Sequence, residues 1–591
     1  MFILRSIPYI VVSEKQGTFS FCLSCSTVHT STPCKEDSKM KVRTCFIVLL
    51  VISASLLFGS YSPSQIPLDS PIYQEIDLLY RLHGIPLPSA SRPWNTNEAV
   101  QILNMLPQQS PYQELKEQAW QRIQTNKTDN FSAKVTPTLA LEAYTHTNST
   151  DFKTFDDWIY SYDERQPLLD FSVSLQFSKS FLLETSLQAG VGGYTAKYKD
   201  IEKNLETYGI GAILNQGSAT LVTSAYLYRR IFNTNIPTAD KTLEPDFPRH
   251  SQLTYAGPWY AISLGRGPLS WGQGGSGNLV IGNHISNHTS LSASFFSQNT
   301  KVQLLYLFFP DLSTSNAGSR VFLGHRIEFR PLGWARFSIS ENIMANADNL
   351  SPQYLDPTYI YHNIYNPDQV NSIASIEADI ALAKGLSLHG QFALDQYQLS
   401  SEGAEMANAM AYLGGLTYTW SQDKGYWTAL AEVVSVDPAM YRREKVDFLV
   451  ARDLMKHDDG DPVIIDYLGY SYGSDSQVLQ TKLSYYRPNL FSAEGSVTIH
   501  RQGELTYDKP HHKNPDTNTD SPNVSGPSPS GDNITERLIV GLAGTCYTDW
   551  KNLVLYAQAN WIGRRIYQRP TKTYAAEASD LQLVMGMKIR F

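Results

Sequence analysis

Residues 581–591 read LQLVMGMKIRF. Leu581, Leu583, Met585, Met587, Ile589 and Phe591 take every second place, with Gln582, Val584, Gly586, Lys588 and Arg590 between them. A period of two puts the first set on one face of a β-strand and the second, more polar set on the other. An amphipathic strand of a soluble sheet alternates in the same way. A soluble edge strand, however, rarely ends on an exposed aromatic residue. The last strand of an outer-membrane barrel commonly does, because it closes the barrel and its aromatic end is read by the insertion machinery.

Working back from this strand, runs of about ten residues with the same period recur to Ala133. They lie near 133–144, 169–178, 181–191, 219–230, 257–265, 289–297, 301–309, 321–330, 334–341, 373–383, 386–395, 410–421, 426–435, 477–486, 493–501, 536–547, 551–561 and 580–591. In one of them Leu553, Leu555, Ala557, Ala559 and Trp561 oppose Asn552, Tyr556, Gln558 and Asn560. About ten residues at about 3.4 Å each, tilted about 40°, rise roughly 25 Å, the height of an outer-membrane apolar band. The connections decide between the two readings. Short turns such as Lys384–Gly385 and Ser421–Gly425 alternate with long polar stretches at 310–320, 342–372, 396–409, 436–476, 502–535 and 562–579. A membrane barrel needs tight periplasmic turns and longer outer loops, whereas a soluble sandwich has no reason for this order. The expected fold is therefore all-β: an antiparallel transmembrane β-barrel of about 18 strands. Between residues 192 and 288 the alternation slips, because 231–256 is long where a tight turn is due. A strand pair near 204–214 or 278–284 would bring the count to twenty. The loop 505–535, rich in Pro, Ser, Asn and Asp, is expected to be mobile and surface exposed.

Bulk composition agrees. The 591 residues are 18% charged, below the roughly 25% usual for soluble proteins, and 12% aromatic. A mean hydropathy of −0.27 excludes a bundle of membrane helices. The net charge of −8, with no basic stripe, gives no case for nucleic acid.

The amino-terminal part differs. Met40, Lys41 and Arg43 precede an apolar run from Cys45 to Ser60, the pattern of a signal peptide over 40–60. Residues 1–39 then read as an upstream extension that arises from start-codon choice, the alternative being a genuine long leader. Four of the five cysteines fall in these segments, leaving Cys546 and no cysteine metal cluster. Residues 61–130 carry helical spacing: Ile72, Ile76, Leu79 and Leu82, then a stop at Gly84. Asn95 with Glu98, and Ser110 with Pro111 and Gln113, resemble helix caps. Helices this short cannot span a membrane. They form a small periplasmic subdomain that plugs the mouth of the barrel 131–591.

Two stretches resemble the Wzi family of capsule-assembly outer-membrane proteins. One is PIYQEIDLLYRLHGIPLPSASRPWNTNEAVQIL, Pro71 to Leu103. The other is Gly265-Arg266 followed by Trp271-Gly272-Gln273-Gly274 and Gly277-Asn278-Leu279, similar to the Gly-Arg and Trp-Gly-x-Gly pattern of those barrels. With the architecture, the resemblance covers about residues 65–591. It implies an eighteen-stranded barrel with a periplasmic helical bundle, in the bacterial outer membrane, and a lectin-like role in fixing exported polysaccharide to the cell surface.

Other motifs are weaker. Gly272, Gly274 and Gly277 fit G-x-G-x-x-G without the strand-turn-helix a dinucleotide needs. Gly274–Asn278 lacks the last Gly of G-x-S-x-G. Tight inward folding of the chain explains these glycines better. His284 and His288 lack the Glu of a zinc protease motif. No metal, cofactor or catalytic residue is therefore expected. Tyrosines in the outer stretches, with neighbouring arginines, are the candidates for stacking on sugar rings: Tyr359 and Tyr361, and in 436–476 Tyr441, Arg442, Arg443, Tyr467, Tyr470 and Tyr472. Expected partners are capsular or other surface polysaccharide, outer-membrane lipid and the barrel-assembly machinery, with the chain a monomer. The competing function is a porin for small solutes.

Overall fold

The computed structural model describes residues 63–124, 131–152, 157–160, 164–189, 231–236, 250–285, 288–309, 320–347, 350, 352–356, 358–361, 370–397, 407–442, 446–454, 463–506, 527–548, 550 and 552–591. The expectations for 1–39, 40–60, 204–214 and 219–230, for Arg443 and for residues 507–526 lie outside these.

Among the described residues eighteen strands form one closed antiparallel circuit. They are β1 Ser132–His146, β2 Leu169–Ser178, β3 Phe181–Ala189, β4 Ser251–Ala256, β5 Tyr260–Arg266, β6 Thr289–Phe296, β7 Thr300–Phe309, β8 Arg320–Leu332 and β9 Ala335–Asn346. The second half comprises β10 Val370–Ala383, β11 Leu386–Gln396, β12 Ala409–Gln422, β13 Gly425–Val436, β14 Ser476–Arg487, β15 Phe491–Gln502, β16 Asn533–Tyr547, β17 Leu553–Gln568 and β18 Thr573–Arg590. Each pairs with the next, and β18 returns to β1 with Ile589 opposite Leu139 and Leu583 opposite Thr145. Closure leaves no strand edge in lipid, where an unpaired backbone group would cost several kcal/mol.

The barrel is apolar outside and polar inside. On β18 Met585 is 66% exposed while Gln582 and Val584 are buried. On β10 Ile376 faces out and Glu377 is buried; on β13 Val433 faces out and Glu432 is buried. A soluble protein sorts these residues the other way, so the outer face is made for lipid. Among the described residues no helix is long and apolar enough to cross a membrane.

Three parts of the sequence reading change. The strand before β5 is Ser251–Ala256, inside the stretch 231–256 read as a loop, and Gly257–Trp259 is then a tight turn. The short/long alternation thus holds through the region where it seemed to slip. Residues 278–284 add no strand to the wall; their one bridge, Trp271 to Ile281, lies inside a loop. The stretch 562–579 is no loop: β17 and β18 run through it, register intact but for one bulge between Arg564 and Ile566, and turn at 569–572.

Among the described residues three α-helices precede the barrel: α1 Pro71–His83, α2 Thr96–Asn104 and α3 Gln113–Gln124. Ser70 caps α1, which ends on Gly84 in the left-handed region at φ 69°. Asn95 Oδ1 accepts from the amides of Asn97 and Glu98 and starts α2. The helices bury Ile76, Leu79, Trp94, Ala99 and Leu103 among themselves. They sit against the short turns: Gly385 N donates to Arg81 O at 2.7 Å, Asn97 Nδ2 to Gly257 O at 2.9 Å, and Gln101 to Pro258 O. The head and the tight turns therefore share one end of the barrel.

Candidate functional site

The lumen has two contrasting halves. One is filled by the head and by the segment between β5 and β6. Ser91–Arg92 of the head pairs with Ser270–Trp271 of that segment, so the two make one plug. Gly272 lies at φ 129°, and a Cβ there would meet Gln391 Nε2 at 2.2 Å and Asn278 Oδ1 at 2.3 Å. Only glycine lets the backbone turn this close to the wall. Asn278 Oδ1 accepts from Gly274 N at 2.9 Å and from Gln391 Nε2 at 2.6 Å, and Gln391 Oε1 accepts from Leu279 N at 2.9 Å. Glu432 of β13 accepts from the amides of Gly275 and Ser276, both at 2.8 Å, from the Ser276 hydroxyl and from His389 Nε2 at 2.9 Å. Lys482 of β14 donates to Gly275 O at 2.7 Å.

Buried charges fasten the head to the same side. Lys301 of β7 bonds Glu98 at 2.7 Å and Ser91 O at 3.0 Å, with both charged side chains almost wholly buried. Burial pushes the Glu98 carboxyl up, and the Lys301 ammonium opposes it. Arg326 of β8 forms a two-pronged pair with Glu377 at 2.6 and 2.8 Å and bonds Glu328 at 2.9 Å; Glu328 also accepts from Ala90 N at 3.2 Å. Trp271 packs with its ring centre 5.7 Å from the Arg326 guanidinium. Glu98 therefore does not reach back to close a capping box on α2, because its carboxylate is used across the lumen.

The other half holds a cavity of about 1130 Å³, bounded at one end by Gln65, Asp69 and Asn95 of the head and at the other by outer-loop residues including Ser471, Tyr472 and Thr506. Glu142 of β1 shapes its aromatic side. This carboxylate accepts from Tyr160 and Tyr556 hydroxyls, each at 2.6 Å, and from Gln166 N at 2.9 Å, holding Tyr160 and Gln166 against the wall. Arg165 lies 4.3 Å over the Tyr144 ring.

The candidates from the sequence are scattered between packing and cavity. Tyr441, Tyr467 and Tyr470 are buried in the cluster that includes Trp271 and Leu279, and Tyr361 is buried beside Val321 and Ile343. Tyr441 Oη donates to Leu279 O at 2.6 Å and accepts from Tyr470 N at 3.3 Å, so it ties the outer loop to the plug. Burial keeps Tyr361, Tyr441 and Tyr470 from a sugar, whereas Tyr467, in the same cluster as Tyr441, also borders the cavity. Tyr441 and Tyr470 face inward because the described part of the link between β13 and β14 packs on the plug. Arg442 is also buried, 3.6 Å from Asp447, with Nη1 donating to Thr506 O at 2.7 Å. Tyr359 is half-buried in the outer link before β10. Tyr472, half-buried beside His500 with ring centres 4.5 Å apart, lines the cavity. Gly265 lies on β5, where a Cβ would strike Ser251 O at 2.2 Å, and Arg266 lines the cavity. Trp271, Gly272 and Gly274 belong to the plug. Sequence reasoning missed Glu142, Gln303 and His500. Each is a lone polar residue on an alternating strand, with no local motif to mark it. Among the described residues no group of three His, Cys, Asp or Glu side chains is placed to hold a metal.

No family model matches the chain, and no curated protein matches it. Among solved structures it is similar to Wzi of Escherichia coli, described as an outer-membrane protein involved in group 1 capsule assembly and a carbohydrate-binding β-barrel. The identity is 14%, covering 89% of this chain and 99% of that one, with a TM-score of 0.52. OprD of Pseudomonas aeruginosa matches at 8% identity over 78% of this chain and 97% of that one, TM-score 0.36. OmpT of Vibrio cholerae matches at 8% over 79% and 99%, TM-score 0.32. The first likeness shows the fold alone, a Wzi-like outer-membrane β-barrel; the other two are too remote in shape to carry an argument.

Proposed function

We propose that this chain resides in the bacterial outer membrane and attaches or organises exported surface polysaccharide, as a monomer with no catalytic role. The observation that carries this reading is the plug. A porin needs a wide polar passage, yet here the head and the β5–β6 segment are bonded to each other, to β7 through the buried Lys301–Glu98 ion pair, and to β8, β11, β13 and β14 through hydrogen bonds. The neighbour of the same fold is described as a carbohydrate-binding barrel of capsule assembly, which favours the same role here. An enzymatic role has less support. Ser276 donates to Glu432, and His389 bonds that same carboxylate, so no imidazole is placed to take the Ser276 proton. The second reading, a porin for small solutes, draws on the polar cavity beside the plug.

The experiment is deletion in the native cell. Polysaccharide should still be made and exported but appear in the medium instead of on the surface. Unchanged surface polysaccharide in the deletion strain would sink the attachment reading.

A further inference from the structure

The cavity half of the lumen has a chemistry of its own. Its lining includes seven serines and seven glutamines, and its charges cancel: five Arg or Lys against five Asp or Glu. Ser263 of β5 and Ser290, Ser292 and Ser294 of β6 present small hydroxyls that leave room, with Trp158 and Tyr472 among the aromatic groups. At about 1130 Å³ it exceeds the roughly 300–1,000 Å³ of ordinary small-molecule pockets.

Two buried atoms in the lining point to a ligand. Gln303 of β7 is 4% exposed, and its Oε1 has no hydrogen-bond partner among the described residues. His500 of β15 is 1% exposed; Nε2 faces Gln502 Oε1 at 3.2 Å, and Nδ1 has no partner among the described residues. An unmet buried polar atom costs about 1–3 kcal/mol, and most such groups in folded proteins are satisfied. A polymer dense in hydroxyls offers both donors and acceptors, matches serine and glutamine, and can lay its ring faces on Trp158 and Tyr472. A strongly anionic ligand would meet as many carboxylates as cations.

We infer that the cavity between the plug and the wall of β1–β7 and β15–β18 binds a stretch of uncharged glycan inside the barrel. This rests on the polysaccharide reading and deepens it by placing the grip on the glycan within the lumen.

The test uses the purified full chain in detergent, titrated with a ladder of neutral glucan oligosaccharides and with oligogalacturonate of matched length, read by tryptophan fluorescence and calorimetry. Saturable binding of the neutral ladder is expected, with the uronate at least tenfold weaker. Ser292→Trp, which fills the cavity, and Gln303→Leu, which removes the unmet acceptor, should each weaken neutral binding at least tenfold. Gln303→Leu should leave the unfolding temperature unchanged or higher, because it removes an unsatisfied group; a merely structural glutamine would lower it. The inference is overturned if the neutral ladder does not bind, if both variants bind it like the parent, or if the uronate binds as well. Failure here with shedding in the deletion strain removes the cavity and keeps the attachment reading. Binding here without shedding does the reverse.

Discussion

The two halves of the lumen use opposite means to occupy a polar interior. Beside β7 to β14, charges are buried in pairs and backbone is brought to the wall at glycine. Beside β1 to β6 and β15 to β18, the lining is rich in hydroxyl and amide groups with its charges balanced, and space remains. A buried ion pair repays its desolvation only with good geometry and further hydrogen bonds. Such pairs therefore suit a plug that must stay in one register. A hydroxyl lining fixes nothing by itself and leaves its groups available to a ligand. The filled half should thus be sensitive to substitution in stability, and the open half in binding.

The largest effect is expected at Arg326. Arg326→Ala leaves Glu377 buried without its guanidinium and Glu328 with only Arg336, 3.5 Å away, a loss of about 3–5 kcal/mol, read as a large fall in the urea midpoint of the heat-modifiable gel band. A change below about 1 kcal/mol would mean the pair is hydrated. Glu98→Ala strands Lys301 in the same way, but at the joint between head and wall. Here a comparable loss of about 3 kcal/mol should appear as protease access to residues 71–124, in detergent, while the barrel band persists. Head and barrel melting together would show that they are one cooperative unit.

Gly272→Ala should cost about 1–3 kcal/mol through its positive φ and its approach to Gln391. The same change at Gly333, where a Cβ meets nothing within 4 Å, serves as the control. In the cavity half Ser292→Ala should change stability by no more than about 0.5 kcal/mol; a larger loss would erase the contrast between the halves.

The smallest effect is a pH dependence in the head. Glu75 is buried, bonded to Arg122 Nε at 2.9 Å and Tyr486 Oη at 2.8 Å. Burial raises its carboxyl, outweighing the pull of Arg122. A carboxyl raised on folding favours the fold when protonated, so its contribution is present below the ordinary value of 4.5 and fades as pH rises through the folded value. Stability of the head should therefore fall slightly as pH rises from about 4.5, and Glu75→Gln should flatten that slope. An unchanged slope would assign it to another group.

Much of the fold was legible because lipid enforces it. Alternation such as Leu581, Leu583 and Met585 against Gln582 and Val584 survives wherever a strand crosses the apolar band. It fails where that pressure ends. The extension of β17 and β18 through 562–579 carries Arg564, Arg565 and Glu577, and reads as loop because the lipid band does not select its outward residues. The six residues of β4 are too few to show a period. The site was less legible. Residue type does not tell that Tyr441 and Tyr470 fold over the plug, and Glu98 and Lys301 meet across 203 positions of sequence. Glycines 272, 274 and 277 did signal tight inward folding, because close backbone approach leaves a local mark.

The most direct test of the central claim is conductance of the intact chain in a planar bilayer. A lumen crossed by a plug and floored by the head should show little or no steady current, with current appearing once residues 70–126 are deleted. Steady ohmic conductance from the intact protein would contradict the account and put the porin reading in its place.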